Sequence, residues 1–247
     1  GASTYDHPFS ARFEEMDAVV VFNNVFVPWE RVFCYRDLTV CKSIMSATNL
    51  QEHMTYQVVC KAIAKTEFLL GLASLMVEGS GLDGFQHIHG KIADIWVNLQ
   101  TVKAFKYASE AEATINQYGV LIPGWEPLNA VRNLYPRLYP RMIEIIQQIG
   151  GSGLMALPTE ADMNSDLRSE IDTYYQAARM EASEKIPLYR LAWDTAISSF
   201  SGRQVLYERF FFGDPVQNAS RIFHNENRKP YMDRVNEFLK EKDNGNV

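Results

Sequence analysis

Cysteine is scarce in this chain. Its 247 residues hold three, Cys34, Cys41 and Cys60, too few and too clustered for a disulfide framework. An odd count alongside nine methionines fits a reducing cytoplasm. No Cys-x-x-Cys pair occurs, so no self-contained structural zinc site is expected. Long apolar runs are also missing. A membrane span needs roughly 20 residues, and the longest candidate, Phe68 to Val77, is broken by Gly71 and Ser74. Positive charge is in deficit: Lys plus Arg is 24 against 30 for Asp plus Glu, a net charge of −6. Phosphate surfaces demand a basic footprint, so neither nucleic acid nor an anionic membrane is expected as a partner. Neither Gly-x-Ser-x-Gly nor His-Glu-x-x-His is present, which removes two common hydrolytic signatures. The opening Gly1-Ala2-Ser3-Thr4 carries no charged-then-apolar leader, so no signal peptide is expected, and it reads like the middle of a longer sequence.

What is present describes a folded protein. Hydrophobic residues make up 47% and charged residues 22%, ordinary for a packed core with a solvated surface. Two regions differ in pattern. Within residues 1–47, Val19 to Phe22 and Val25 to Val27 are β-branched and aromatic runs around the turn signal Asn23-Asn24, which predicts two short strands. Two strands alone are marginal, so they need partners elsewhere. Glu14, Glu15 and Asp17 read as solvated surface or turn.

From residue 48 to 247 the pattern becomes helical. Met54, Val58, Ala62, Leu69, Leu72 and Met76 recur at helical spacing, with Lys61, Lys65 and Glu67 among the polar positions. Gly79, Gly81 and Gly84 stop that helix. Ile88, Ile92, Ile95, Leu99 and Val102 form a second stripe, continued by polar Glu110, Glu112 and Asn116. Pro123 to Pro127 reads as a connector, and a third helix is predicted from Leu138 to Ile149. A fourth long segment spans Asp166 to Phe212, where Pro187 should start a helix or kink this one. Tyr231 to Leu239 forms a short amphipathic tail. Four apolar-striped helices with modest connections predict a mainly α protein built on a four-helix bundle.

Four clusters carry the chemical interest. In Gln147-Gln148-Ile149-Gly150-Gly151-Ser152-Gly153-Leu154 three glycines in four positions let the backbone approach a ligand, or simply cap a helix. It is neither a P-loop nor a dinucleotide fingerprint. In Tyr207-Glu208-Arg209-Phe210-Phe211-Phe212-Gly213-Asp214-Pro215 three consecutive rings cannot all face one core from one helix. Either at least one ring lines a cavity or interface, or the segment is a helix terminus packed on the bundle. His53 and Cys60, seven apart, share a helix face and read better as a partly buried His and a small apolar Cys than as half a metal site. His87 and His89 read as polar residues at a helix start.

Several motifs, taken in order, resemble the latter part of the flavin-dependent 4-hydroxyphenylacetate 3-hydroxylases. They are Arg12-Phe13-Glu14-Glu15-Met16-Asp17-Ala18, Phe26-Val27-Pro28-Trp29-Glu30-Arg31-Val32-Phe33, Lys65-Thr66-Glu67-Phe68-Leu69-Leu70-Gly71 and Gly90-Lys91-Ile92-Ala93-Asp94, with the glycine loop and the triple-phenylalanine segment. The resemblance runs from about Phe9 to Phe238. It implies an acyl-CoA dehydrogenase-like fold, in which residues 1–47 end a middle β-domain and residues 48–247 form the C-terminal bundle that builds a homotetramer. It also implies the oxygenase component of a two-component system. A separate flavin reductase supplies reduced FAD or FMN, and O2 is used to hydroxylate a phenol ortho to its hydroxyl. Flavin contact carries over to Gln148, Gly150, Gly151, Ser152 and Gly153, often toward a neighbouring subunit, and to Phe211, Phe212, Gly213 and Asp214. No catalytic residue and no metal ligand carries over, because the family's substrate-clamping residues lie in an N-terminal portion that this chain lacks. Two alternatives stand beside this reading. One is a non-catalytic helical oligomerisation module. The other is a relative of the 4-hydroxybutyryl-CoA dehydratases, which use a flavin beside an iron–sulfur cluster, with a His and a Cys spaced like His53 and Cys60.

Overall fold

A computed structural model describes residues 3–13 and 17–243; Gly1, Ala2 and Glu14 to Met16, which entered the sequence reading, lie outside the described residues. The helices are α1 (Ser10–Phe13), α2 (Leu38–Ala47), α3 (Leu50–Gly79), α4 (Gln86–Ala111), α5 (Trp125–Gly150), α6 (Glu160–Met163), α7 (Arg168–Tyr174), α8 (Ala182–Ala196), α9 (Ser199–Phe210), α10 (Pro215–Asn225) and α11 (Lys229–Asp243). Two short antiparallel strands, β1 (Thr114–Ile115) and β2 (Leu121–Ile122), join α4 to α5. The chain divides into two units, 1–212 and 213–247.

In the first unit α3, α4 and α5 pack on one another, and α8 and α9 close the bundle against α5. The mainly α architecture is as the sequence predicts. Val58, Ala62, Leu69, Leu72 and Met76 of α3 are buried, while Met54 stays exposed. Ile88, Ile95, Leu99 and Val102 of α4 face the same core. From α5 come Leu128, Val131, Tyr135, Met142, Ile145 and Ile146, all fully enclosed. Residues three and four apart stack on one face of a helix. Gly81 ends α3 in a left-handed turn with φ +67°, where the Leu82 N–H donates to the Val77 carbonyl at 2.9 Å.

Several boundaries differ from expectation, each for a physical reason. The third helix starts at Trp125 rather than Leu138, because Pro127 falls in the first turn, where a missing N–H costs nothing. Pro136 and Pro140 are then carried inside α5, with Pro136 buried. The fourth long segment, Asp166 to Phe212, holds three helices, α7, α8 and α9, the last two forming a broken pair. Its break comes at Ile197 and Ser198, where the Ser198 side chain accepts from the Ser201 N–H and caps α9; Pro187 sits inside α8 instead. Asn116 is no helix continuation but a turn residue, its side-chain oxygen accepting from Tyr118 N–H and Val120 N–H at 2.9 and 3.1 Å.

The strands expected at Val19–Phe22 and Val25–Val27 are not formed. These residues have no ladder partner among the described residues, and Val19, Phe22 and Phe26 are exposed. A strand without a neighbour leaves its backbone to water. Asp17 is exposed, as read, and lies 3.4 Å from Arg203.

Ahead of this stretch, residues 3–13 are strapped to the bundle. Asp194 on α8 is completely buried and accepts from the Phe9 and Ser10 N–H groups at 2.8 Å each, with the Ser10 hydroxyl at 3.1 Å. Asp6 accepts from the Glu160 N–H at 2.9 Å. In the second unit, α11 carries Tyr231, Val235 and Leu239 exposed at four-residue spacing, the amphipathic tail the sequence predicts.

Charge-assisted hydrogen bonds to a buried carboxylate are worth about 1.5–3 kcal/mol each. Asp194→Ala should therefore lower stability by about 2 kcal/mol or more, read as an earlier urea midpoint, and should open residues 3–13 to protease.

Candidate functional site

The glycine loop forms where α5 runs out. Gly150 is the last helical residue and Gly151–Leu154 make a single 3₁₀ turn. Gly151 has φ +52° and ψ −140°, a conformation open to glycine and strained for any residue with a Cβ. Its N–H donates to the Gln147 carbonyl, so the helix-cap reading holds. A side chain on Gly150 would run into Leu154, and one on Gly153 would come within 3.1 Å of the Tyr189 ring. Around Gly151 there is only open space, and Gly151 and Ser152 are exposed. A capped, bare stretch of backbone facing outward is what close approach by a planar or phosphorylated ligand requires.

The neighbouring side chains are ordered by a polar chain across the α4–α5 surface. Lys91 donates to the Gln148 side-chain oxygen at 2.5 Å, and the Gln148 amide donates to Glu144 at 2.7 Å. Arg141 pairs with Glu144 at 2.8 Å and with Asp94 at 3.6 Å. Lys91 and Asp94 belong to the Gly90–Asp94 motif that the sequence reading singled out. Gln147 turns inward, donating to the Ala196 carbonyl at 2.6 Å, which satisfies the end of α8.

The triple-phenylalanine segment divides its rings. Phe212 is buried in the core, and its carbonyl accepts from Arg132 Nε at 2.8 Å. Phe210 and Phe211 are exposed. Phe211 stacks on Tyr207 with centroids 4.5 Å apart, and Lys61 Nζ lies 4.6 and 4.7 Å from the two ring centres. Gly213 (φ +103°) and Asp214 open the second unit, where Asp214 caps α10 by accepting from the Val216 N–H at 2.8 Å. The first unit does not bring the two candidate segments together. Arg132, which holds Phe212, lies 16 residues before Gln148 on the same helix, or roughly 24 Å along its axis.

A further feature is not evident from the sequence pattern. A cavity of about 580 Å³ opens among α1, α3, α5, α8 and α9, walled by Phe9, Phe68, Phe200, Tyr139 and Tyr207. Its polar end is ionic. Glu208 is wholly buried and accepts from Lys61 at 2.9 Å and from Lys65 at 2.6 Å, while Lys65 also donates to Gln204 at 2.6 Å. Lys61 and Lys65 stand one turn apart on α3 and are among the residues predicted as polar surface. Burial pushes the pKa of Lys61 below the ordinary lysine value, and Glu208 opposes that shift. Burial, reinforced by the Glu208 charge, pushes Tyr139 far upward and keeps its phenol protonated. Tyr135 is raised by burial as well, although Thr66 works against it. The set is two ammonium groups, one carboxylate and neutral aromatic walls, which suits a flat aromatic ligand with an electron-rich or anionic end.

The histidines contribute little. His53 is exposed rather than partly buried, and Cys60 is half-buried; no group of three potential metal ligands occurs among the described residues. His87 and His89 are exposed at the start of α4, as expected, with His89 Nε2 donating to the Asp83 carbonyl at 2.6 Å. Among the described residues no helix is long and apolar enough to cross a membrane.

Comparison with known proteins places this geometry. Residues 41–240 match the family described as 4-hydroxyphenylacetate 3-hydroxylase C terminal, and residues 1–34 match the corresponding N-terminal family. The 4-hydroxyphenylacetate 3-monooxygenase oxygenase component of Thermus thermophilus is 48% identical over 241 residues, covering 98% of this chain and 50% of that protein. A crystal structure of such an oxygenase component, complexed with FAD and 4-hydroxyphenylacetate, superposes with a TM-score of 0.92 at 48% identity, over 97% of this chain and 50% of the other. An archaeal 4-hydroxybutyryl-CoA dehydratase superposes with a TM-score of 0.77 at 17% identity, a likeness of fold alone. The chain spans about half the length of the relatives it matches.

Replacing Glu208 by Gln leaves two lysines without a counter-ion. We expect a loss of about 2 kcal/mol, below the roughly 3–5 kcal/mol of a fully enclosed pair, because the lysine side chains keep 22% and 28% exposure. The sign with pH follows from Lys61. Its folded pKa is depressed, so the unfolded chain holds that proton longer, and the penalty present below the folded pKa is relieved as pH rises toward the ordinary lysine value of 10.5. The Gln variant should therefore regain stability between neutral and alkaline pH more steeply than the parent, measured by urea unfolding across that range.

Proposed function

The chain belongs to the 4-hydroxyphenylacetate 3-hydroxylase family, and from that premise we propose that it is the C-terminal part of a reduced-flavin-dependent monooxygenase acting on a phenol. Its residues 48–247 form the bundle that flanks the flavin and builds the oligomer, and residues 1–47 end a β-rich domain completed by the N-terminal portion. The two family matches change over between residues 34 and 41, ahead of that boundary, so residues 41–47 fall with the C-terminal family. The exposed apolar run Val19 to Val27 supports completion by the N-terminal portion, since such a surface calls for a covering partner.

The observation that carries the reading is the bare backbone at Gly151 to Gly153, at the end of a helix whose residues match a relative crystallised with FAD. Reduced FAD, delivered by a separate flavin reductase, would supply electrons and, with O2, the oxygen atom placed on the ring. FMN shares the isoalloxazine and remains the second candidate flavin. The chain's own residues do the rest. Gly151 offers backbone with open space around it beside the exposed Ser152, and Gln148 is held in place by Lys91 and Glu144. The packed bundle keeps water from that side of the cofactor. Gln148 and the residue holding Phe212 stand roughly 24 Å apart along α5, and the reading places the two segments against flavins of different subunits, in keeping with a homotetramer. The thiol count is in keeping with a reducing cytoplasm.

Two outcomes check this. The full-length protein, given a flavin reductase, O2 and 4-hydroxyphenylacetate or a related phenol, should yield a catechol; hydrogen peroxide alone, for every phenol tried, would contradict it. Ser152→Glu places a negative charge on the exposed loop without disturbing the glycines. It should weaken reduced-FAD binding tenfold or more while the oligomer mass is unchanged. Unaltered flavin affinity would instead favour a helical module with no part in cofactor binding.

A further inference from the structure

We propose that Cys34 and Cys41 form a dithiol site that takes up a two-electron oxidant, such as hydrogen peroxide, and closes to an intramolecular disulfide. The two sulfurs lie 3.3 Å apart and both residues are exposed. A covalent S–S bond is about 2.05 Å, so the sulfurs need to close by only about 1 Å.

The pair is held by local structure rather than by chance proximity. Arg36 takes a left-handed conformation with φ +52°, turning the chain back between the two cysteines. Asp37 then caps α2, its carboxylate accepting from the Thr39 and Val40 N–H groups at 3.0 Å each. One carbonyl joins both partners: Asp37 O accepts from the Cys41 N–H at 3.1 Å and from the Cys34 thiol at 3.4 Å. Trp29 and Tyr35 pack edge to face at 4.9 Å and steady the approach to the turn. The hydrogen bond between the two sulfurs raises the Cys41 pKa. Either sulfur can attack first, and the balance is the same with Cys34 or Cys41 in that role.

The chemistry balances without a cofactor. The Cys34 thiolate attacks one peroxide oxygen, the O–O bond breaks, and with one proton the products are a sulfenic acid and water. The Cys41 sulfur then attacks the Cys34 sulfur, displacing the hydroxyl, which leaves as a second water with the Cys41 proton. Sulfur is oxidised by two electrons in all, and both peroxide oxygens are reduced. A thiol reductant reverses the step through a mixed disulfide, as expected of a transient disulfide in a reducing compartment. Cys60, half-buried on α3, takes no part.

The test treats the native full-length protein with hydrogen peroxide, alkylates what remains, and maps the cysteines by peptide mass spectrometry. Two of the three thiols should disappear into one Cys34–Cys41 linked peptide, lighter by two hydrogens, and both should return with dithiothreitol. Cys41→Ser should leave Cys34 as a dimedone-reactive sulfenic acid. Three alkylatable thiols after peroxide would overturn the proposal, as would a linkage to Cys60 or a disulfide between two chains.

Discussion

A carboxylate removed from water must find a cation, and Glu208 finds two. Its bonds to Lys61 and Lys65 fix the register of α9 against α3, and much around it follows from that. The lysine ends lie over the rings of Tyr207, Phe211 and Tyr139. The ion cluster thereby sets the aromatic wall of the cavity as well as its charged end. Burial, with a smaller contribution from the same negative charge, keeps the nearby phenols of Tyr135 and Tyr139 protonated. Substituting either side of such a cluster leaves an uncompensated charge in a medium where it is costly.

α5 extends that order along the molecule. At one end Arg132 holds the Phe212 carbonyl, and at the other the helix stops in the glycine loop. Both stations are rigid because the residues between them, Tyr135, Met142, Ile145 and Ile146, are sealed in the core. A loop carried on a packed helix is placed more accurately than one on a free connection. Asp194 performs a comparable service for residues 3–13, bringing Phe9 over Phe68 at 5.0 Å to complete the cavity wall.

Much of this is legible in the sequence. The stripes of α3 and α4, the glycine stop after Gly79, the glycine loop and the division of the phenylalanines all follow from periodicity and residue chemistry. What escaped did so for identifiable reasons. Pro127, Pro136 and Pro140 look like helix breakers, yet one sits in a first turn and the others are overruled by burial of the α5 face. The β1–β2 hairpin is two residues per strand, too short to show alternation. Val19 to Val27 has strand chemistry but no partner among the described residues. The Lys61–Lys65–Glu208 cluster was hidden because lysines on a helix ordinarily mark its wet side; only the fold shows that a buried glutamate waits opposite them. The Cys34–Cys41 pair depends on the left-handed turn at Arg36, which no periodicity reveals.

Under the proposed function the end of α5 touches a flavin held mainly by another subunit. A structure of the full-length oligomer with FAD bound tests it most directly. FAD atoms are expected within hydrogen-bond distance of the Gly151 to Gly153 backbone, with Phe211 of the same chain beside a different FAD. A flavin seated with no atom in contact with Gln148 to Gly153 of any subunit would contradict it.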